Sequence, residues 1–199
     1  MRPLLVATTN PGKLLEIRSF FVGSDITILS LNDFPQYIEP EETGATFEDN
    51  ALLKAKSYFE QCGIPALADD GGIEIDALGG EPGVRTRRWI GREMTDVELI
   101  DYTLLRLQGI PFPKRTARFR VVLTFFDGIN MLTDTDYSNG IIVTSRPAIF
   151  TPGYPFRAIF FLPQFGKIYD DLTPAEHESV NHRLKALHRM KPRIEERLR

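Results

Sequence analysis

The chain has 199 residues, 42% of them hydrophobic, and 27 acidic against 24 basic side chains give a formal net charge of −3. That length and apolar content allow a real core, which excludes a disordered chain and a disulfide-dependent mini-fold. Only the stretch from Arg115 to Arg120 and the tail from Lys191 to Arg199 are basic, which argues against a broad cationic face for nucleic acid.

The single cysteine, Cys62, leaves no internal disulfide and no cysteine-rich zinc site, so a reducing compartment, the cytoplasm, is expected. The N-terminal run Leu4-Leu5-Val6 is too short for a secretory segment and no later run approaches a membrane span. One globular domain, residues 1–199, is expected, without repeats or linkers.

Leu4 to Ala7 reads as a strand ending in the turn cluster Thr8-Thr9-Asn10-Pro11-Gly12, after which Leu14, Ile17 and Phe21 recur at helical spacing. Ile26 to Leu29 reads as a strand, and the polar segment Asn32 to Gly44 as a surface loop. Thr46 with Asp49 forms a capping box for a helix carrying Ala51, Leu52, Ala55 and Phe59 in one stripe up to Gly63.

Ala66 to Ala68 and Ile73 to Asp76 read as two strands flanking a tight acidic bend, Asp69-Asp70-Gly71-Gly72. Thr95 with Glu98 caps another helix; Ala117 to Phe126, Ile141 to Thr144 and Arg157 to Leu162 read as strands. Thr173-Pro174-Ala175-Glu176 opens a last helix, with Val180, Leu184 and Leu187 in register.

Four clusters carry candidate chemistry. Thr8, Thr9, Asn10 and Lys13 lie between a strand and a helix, where amide groups, hydroxyls and an ammonium suit a polyphosphate. The sequence is not a Walker A loop, and a plain capped turn with Lys13 in solvent fits the same residues. Glu41-Glu42 and Asp69-Asp70 offer carboxylates from two separate loops, the usual way to hold a hard cation such as Mg²⁺. Two aspartates in one bend would repel, which a cation or a shared proton would resolve; taken singly, each cluster also reads as an ordinary solvated turn. The last cluster is His177, His182 and Arg183. On an unbroken helix the histidines stand about 140° apart, which disfavours a zinc site.

In order along the chain, Ala7-Thr8-Thr9-Asn10-Pro11-Gly12-Lys13, the run from Glu42 to Ala55, Ala68-Asp69-Asp70-Gly71-Gly72, Leu78-Gly79-Gly80-Glu81-Pro82-Gly83-Val84 and His182-Arg183 resemble the inosine/xanthosine triphosphate pyrophosphatase family. The resemblance implies an elongated α/β fold, a mixed β-sheet flanked by helices, two lobes with a nucleotide cleft between them, and a homodimer. It implies Mg²⁺-dependent cleavage of deaminated purine nucleoside triphosphates (ITP, dITP, XTP) between the α- and β-phosphates, with no nucleic-acid or membrane partner. By position, Asp70 would be the general base, Glu41 and Asp70 the metal ligands, and Thr8, Thr9, Asn10 and Lys13 the phosphate-binding loop. Gly71, Phe156, Arg157, His177, His182 and Arg183 would meet the rest of the substrate.

Departures from the family pattern fall in the base-recognition half. The aromatic-Gly-Tyr-Asp-Pro segment corresponds to Tyr154-Pro155-Phe156-Arg157-Ala158, where a cation replaces the acid. His177 stands where the family has lysine, Asn181 and Leu184 where serine and glycine flank His-Arg, and Gly71 where serine follows the aspartates. A related pyrophosphatase with a shifted base preference and a catalytically silent nucleotide-binding protein are the alternatives.

Overall fold

The computed structural model describes residues 2–34 and 36–199; Met1 and Pro35 of the expected N-terminal segment and surface loop lie outside the described residues. Among the described residues seven strands form one mixed sheet: β1 (Arg2–Ala7), β2 (Ile26–Ser30), β3 (Ala66–Ile75), β4 (Thr116–Phe126), β5 (Met131–Ile142), β6 (Phe160–Leu162) and β7 (Lys167–Ile168). They lie in the order β2-β1-β3-β4-β5-β6-β7. The helices are α1 (Pro11–Phe20), α2 (Phe47–Cys62), α3 (Asp96–Arg106), α4 (Pro174–Val180) and α5 (His182–Arg197). Among the described residues, no helix is long and apolar enough to cross a membrane. The chain divides into two compact units, residues 1–70, 121–136 and 183–199 in the first and residues 71–120 and 137–182 in the second.

In the first unit β1 pairs in parallel with both β2 and β3, with Leu5 opposite Leu29 and Ala66. Alternation along these strands builds two cores, because successive side chains point to opposite faces. Leu4, Val6 and Leu67 pack with Ile17 of α1 and Ala186, Leu187, Met190 and Ile194 of α5. Leu5, Ala7, Ala66 and Ala68 pack instead with Ala55 and Tyr58 of α2. Each fully buried Leu or Ile contributes about 1.5–3 kcal/mol through burial, so the two cores hold the strand ends firmly in place.

The second unit has its own core, in which Ile73, Ile75, Leu99, Ile100, Ile142, Phe156, Ile159, Phe160 and Tyr169 pack together. Arg115, opening the basic stretch, is buried and donates to the carbonyls of Ile110, Val143 and Leu107, so its charge is spent on tying loops rather than on a ligand face.

Four sequence expectations need correction. The acidic bend does not exist: β3 runs unbroken through Asp69-Asp70-Gly71-Gly72, because the carboxylates find cationic partners from the helices instead of a turn. The strand expected at Ile141 begins ten residues earlier, at Met131. Its polar first half hid it, since Asp134 and Asp136 lie on one face and both bind Arg189 of α5, at 2.6 and 2.7 Å. Of the strand expected from Arg157 to Leu162 only Phe160–Leu162 is strand; its first three residues belong to a 3₁₀ turn, Pro155–Ile159, with Pro155 at its start and Arg157 N–H donating back to the Tyr154 carbonyl at 3.1 Å. The last helix is two helices, separated at Asn181, whose ψ of 102° leaves the helical region.

Candidate active site

The phosphate-loop candidate is a strand, a short turn and the start of α1. Asn10 caps the helix: its Oδ1 accepts from Gly12 N–H at 2.9 Å and Lys13 N–H at 3.2 Å, while Leu14 N–H donates to the Asn10 carbonyl. Pro11 has no amide hydrogen, so the donors at this helix end are already satisfied. Any phosphate here therefore meets side chains first: the Lys13 ammonium, and the hydroxyls of Thr8 and of the exposed Thr9. The Thr8 hydroxyl also accepts from Asn10 N–H at 3.2 Å.

Lys13 does not project into solvent. Its ammonium forms an ion pair with Asp69, whose other carboxylate oxygen accepts from Arg183 Nε at 2.7 Å. Arg183, at the first turn of α5, also pairs with Glu16 of α1. Asp69 and Arg183 are both buried. Burial alone would raise the Asp69 pKa, but the charges of Arg183 and Lys13 outweigh it and hold the carboxyl well below its ordinary value. Burial works against the Arg183 charge too, and Asp69 and Glu16 more than offset it.

Asp70, one residue on, points to the other face of β3, toward α2. There Lys54 Nζ donates to Asp70 Oδ1 at 2.8 Å and to Glu42 Oε1 at 3.0 Å. Burial raises the Asp70 pKa more than Lys54 lowers it, so this carboxyl stays above the ordinary aspartate value. Lys54 is itself desolvated, yet the facing carboxylates keep it charged, with its pKa above the usual lysine value. Two carboxylates thus converge on one ammonium, an all-oxygen set suited to a hard divalent cation that takes one or two protein carboxylates and completes its shell from water and phosphate.

Of the two loop acids, Glu42 is the one joined to Asp70 through Lys54; Glu41 is exposed and, among the described residues, makes no ion pair or hydrogen bond. No group of three or more His, Cys, Asp or Glu side chains is clustered for a metal among the described residues. Gly44 brings the loop close to α2: a Cβ there would stand 2.5 Å from Asn50 Oδ1, the atom that accepts Gly44 N–H.

The remaining candidates belong to the second unit, apart from Arg183. Gly71 continues β3. Phe156 is buried in the core, and Arg157 lies over the Tyr154 ring at 3.9 Å and the Tyr169 ring at 5.2 Å. His177 meets Tyr169 edge-on at 5.3 Å, and His182 stacks on Phe119 at 6.0 Å. The break at Asn181 removes the constraint of a single unbroken helix on the two histidines.

Sequence reasoning assigned no role to Lys54, Asn50 or Glu16. The signal was present: Asn50 and Lys54 are polar residues one helical turn apart beside the apolar stripe of α2, the spacing that places two side chains on one face.

A model of the Ham1 family matches residues 4–193. The chain is 38% identical over 195 residues to a dITP/XTP pyrophosphatase of Geobacter sulfurreducens, covering 98% of this chain and 97% of that one. It is 35% identical over 197 residues to a dITP/XTP pyrophosphatase of Geobacillus kaustophilus, covering 98% and 96%. Among solved structures, a HAM1 protein from Coxiella burnetii superposes with a TM-score of 0.87 at 31% identity, over 98% of this chain and all of that one. A nucleoside-triphosphatase / dITP/XTP pyrophosphatase from Mycobacterium abscessus gives 0.77 at 35% identity, over 96% and 99%. With the family model spanning nearly its whole length, the chain belongs to the Ham1 family.

Proposed function

We propose that the chain hydrolyses deaminated purine nucleoside triphosphates (ITP, dITP and XTP) to the nucleoside monophosphate and pyrophosphate, with Mg²⁺. The activity and substrates follow those named for its dITP/XTP pyrophosphatase relatives. The observation that carries the reading on this chain is the division of labour between Asp69 and Asp70: one is neutralised by Lys13 and Arg183, and the other is kept available, with a raised pKa, beside Lys54 and Glu42.

Asp70 is the general base: its carboxylate, held at 2.8 Å by Lys54 Nζ on the α2 face of β3, is the acid placed to orient and deprotonate the attacking water. Asp70 and an acid of the Glu41–Glu42 pair would hold the Mg²⁺, which when bound neutralises phosphate charge and orients the leaving group. Lys13 and Lys54 supply fixed positive charge for the triphosphate, in a partly desolvated setting where such charge acts strongly. Thr8, Thr9 and Asn10 complete the phosphate side, and Gly71, Phe156, Arg157, His177, His182 and Arg183 enter the proposal as substrate contacts on the family resemblance of their segments alone. The proposal extends to a cytoplasmic homodimer, for which size-exclusion chromatography with light scattering is the test.

The test of the activity is a panel of ITP, XTP, dITP and the common triphosphates, with and without Mg²⁺, followed by pyrophosphate release. The expected result is Mg²⁺-dependent pyrophosphate from the deaminated purines in preference to the common nucleotides. Faster turnover of the common triphosphates than of the deaminated purines would favour a shifted base preference, and no turnover at all would favour a silent binding protein.

A further inference from the structure

The loop from Gln36 to Ala45 has no regular structure, yet it is tied to α2 along its length. Asn50, Lys54, Tyr58 and Gln61 fall within about 80° of arc on α2 at roughly 100° per residue. Together they hold the loop antiparallel to the helix. Asn50 Oδ1 accepts from Gly44 N–H at 2.7 Å, Lys54 Nζ donates to Glu42 Oε1 at 3.0 Å, and the Tyr58 ring meets Tyr37 edge-on at 5.9 Å. At the far end the Gln61 amide accepts from Ile38 N–H at 2.7 Å and donates to the Ile38 carbonyl at 3.0 Å. Its second N–H donates to Ser57 Oγ at 3.1 Å, which fixes the orientation of the amide plane.

Both loop acids offered to the candidate cation site, Glu41 and Glu42, lie between these two anchors. Only Glu39, Pro40 and Glu41 separate Ile38 from Glu42, and Gly44 is two residues beyond. A five-residue span held at both ends has little freedom, and ligand groups outside regular structure depend on such support for their placement.

We propose that Gln61 is a positioning residue: its two-point grip on the Ile38 backbone sets where the Glu41–Glu42 segment stands, and so the affinity for the divalent cation, while touching neither cation nor nucleotide. This rests on the reading of that segment as a cation ligand. Gln61→Met keeps the length of the side chain and removes both bonds to Ile38; Gln61→Glu keeps the acceptor for Ile38 N–H and removes the donor.

Two measurements on the full chain test it: the Mg²⁺ concentration for half-maximal turnover, and amide hydrogen exchange at residues 38–44 without metal. Gln61→Met is expected to raise the Mg²⁺ requirement about tenfold, with kcat at saturating Mg²⁺ within about twofold of the parent and faster exchange across the segment. Gln61→Glu is expected to fall between the two. An unchanged Mg²⁺ requirement, or unchanged exchange, in Gln61→Met overturns the role of Gln61 and leaves the pyrophosphatase reading standing. Failure of that reading shows separately, as a parent protein with no Mg²⁺-dependent turnover, and the positioning role falls with it.

Discussion

Asp69 and Asp70 are adjacent in one unbroken strand, yet their carboxylates serve opposite faces of the sheet: Asp69 is locked by Lys13 and Arg183, Asp70 meets Lys54. The two therefore do not share a proton or a cation as neighbours in a bend would. Their environments push their pKa values apart: the charges of Arg183 and Lys13 hold Asp69 down, and burial pushes Asp70 up.

Arg183→Ala removes the main partner of a carboxylate whose side chain is 1% exposed. Breaking a buried pair from one side costs about 3–5 kcal/mol, and a loss of that size is expected in denaturant unfolding. A change below about 1 kcal/mol would mean that the pair does not hold the fold.

The pH dependence of stability follows from the same pair. Asp69 has a folded pKa below its ordinary 3.8, so its contribution is present above that value and is lost as pH falls through the folded value. Asp70 has the opposite sign: its contribution is present below 3.8 and is lost as pH rises through the raised folded value. In metal-free protein, Asp69→Asn should flatten the loss of stability between about pH 4 and pH 2, whereas Asp70→Asn should leave that acid-side loss in place. Unfolding curves over that range check both; identical slopes in parent and Asp69→Asn would contradict the assignment.

Lys13 joins the two roles. Because it pairs with buried Asp69, Lys13→Ala is expected to cost about 1–3 kcal/mol of stability as well as at least tenfold in kcat/KM. A stability loss with kcat/KM unchanged would confine Lys13 to the fold.

Much of this was legible in the sequence. The capping boxes at Thr46, Thr95 and Thr173 fix three helix starts, because hydroxyl and acid three residues apart satisfy the free amides locally. What the sequence concealed depends on partners far along the chain. A run of two aspartates and two glycines looks like a turn until Arg183, 114 residues away, neutralises one of them. The first half of β5 looks like a loop until Arg189 covers Asp134 and Asp136. Lys54 was visible as a residue, but its position between Asp70 and Glu42 required the loop to fold back along α2.

Arg157 of the second unit is the cation of the segment Tyr154-Pro155-Phe156-Arg157-Ala158. It stacks on Tyr154 and, among the described residues, has no carboxylate partner. Arg157→Ala is expected to change the ratio of kcat/KM for ITP to that for GTP by about tenfold, leaving the Mg²⁺ requirement as it was. Parallel losses for both nucleotides would remove it from base discrimination.

Central to the account is Asp70 as the base for attack at the α–β linkage. The most direct measurement is chromatographic analysis of the products of ITP with saturating Mg²⁺, for the parent chain and for Asp70→Asn. The parent is expected to yield IMP and pyrophosphate. Asp70→Asn is expected to lower kcat at least about a hundredfold, since an amide neither accepts the water proton nor binds the cation as a carboxylate does. IDP and phosphate as products, or near-normal turnover by Asp70→Asn, would contradict it.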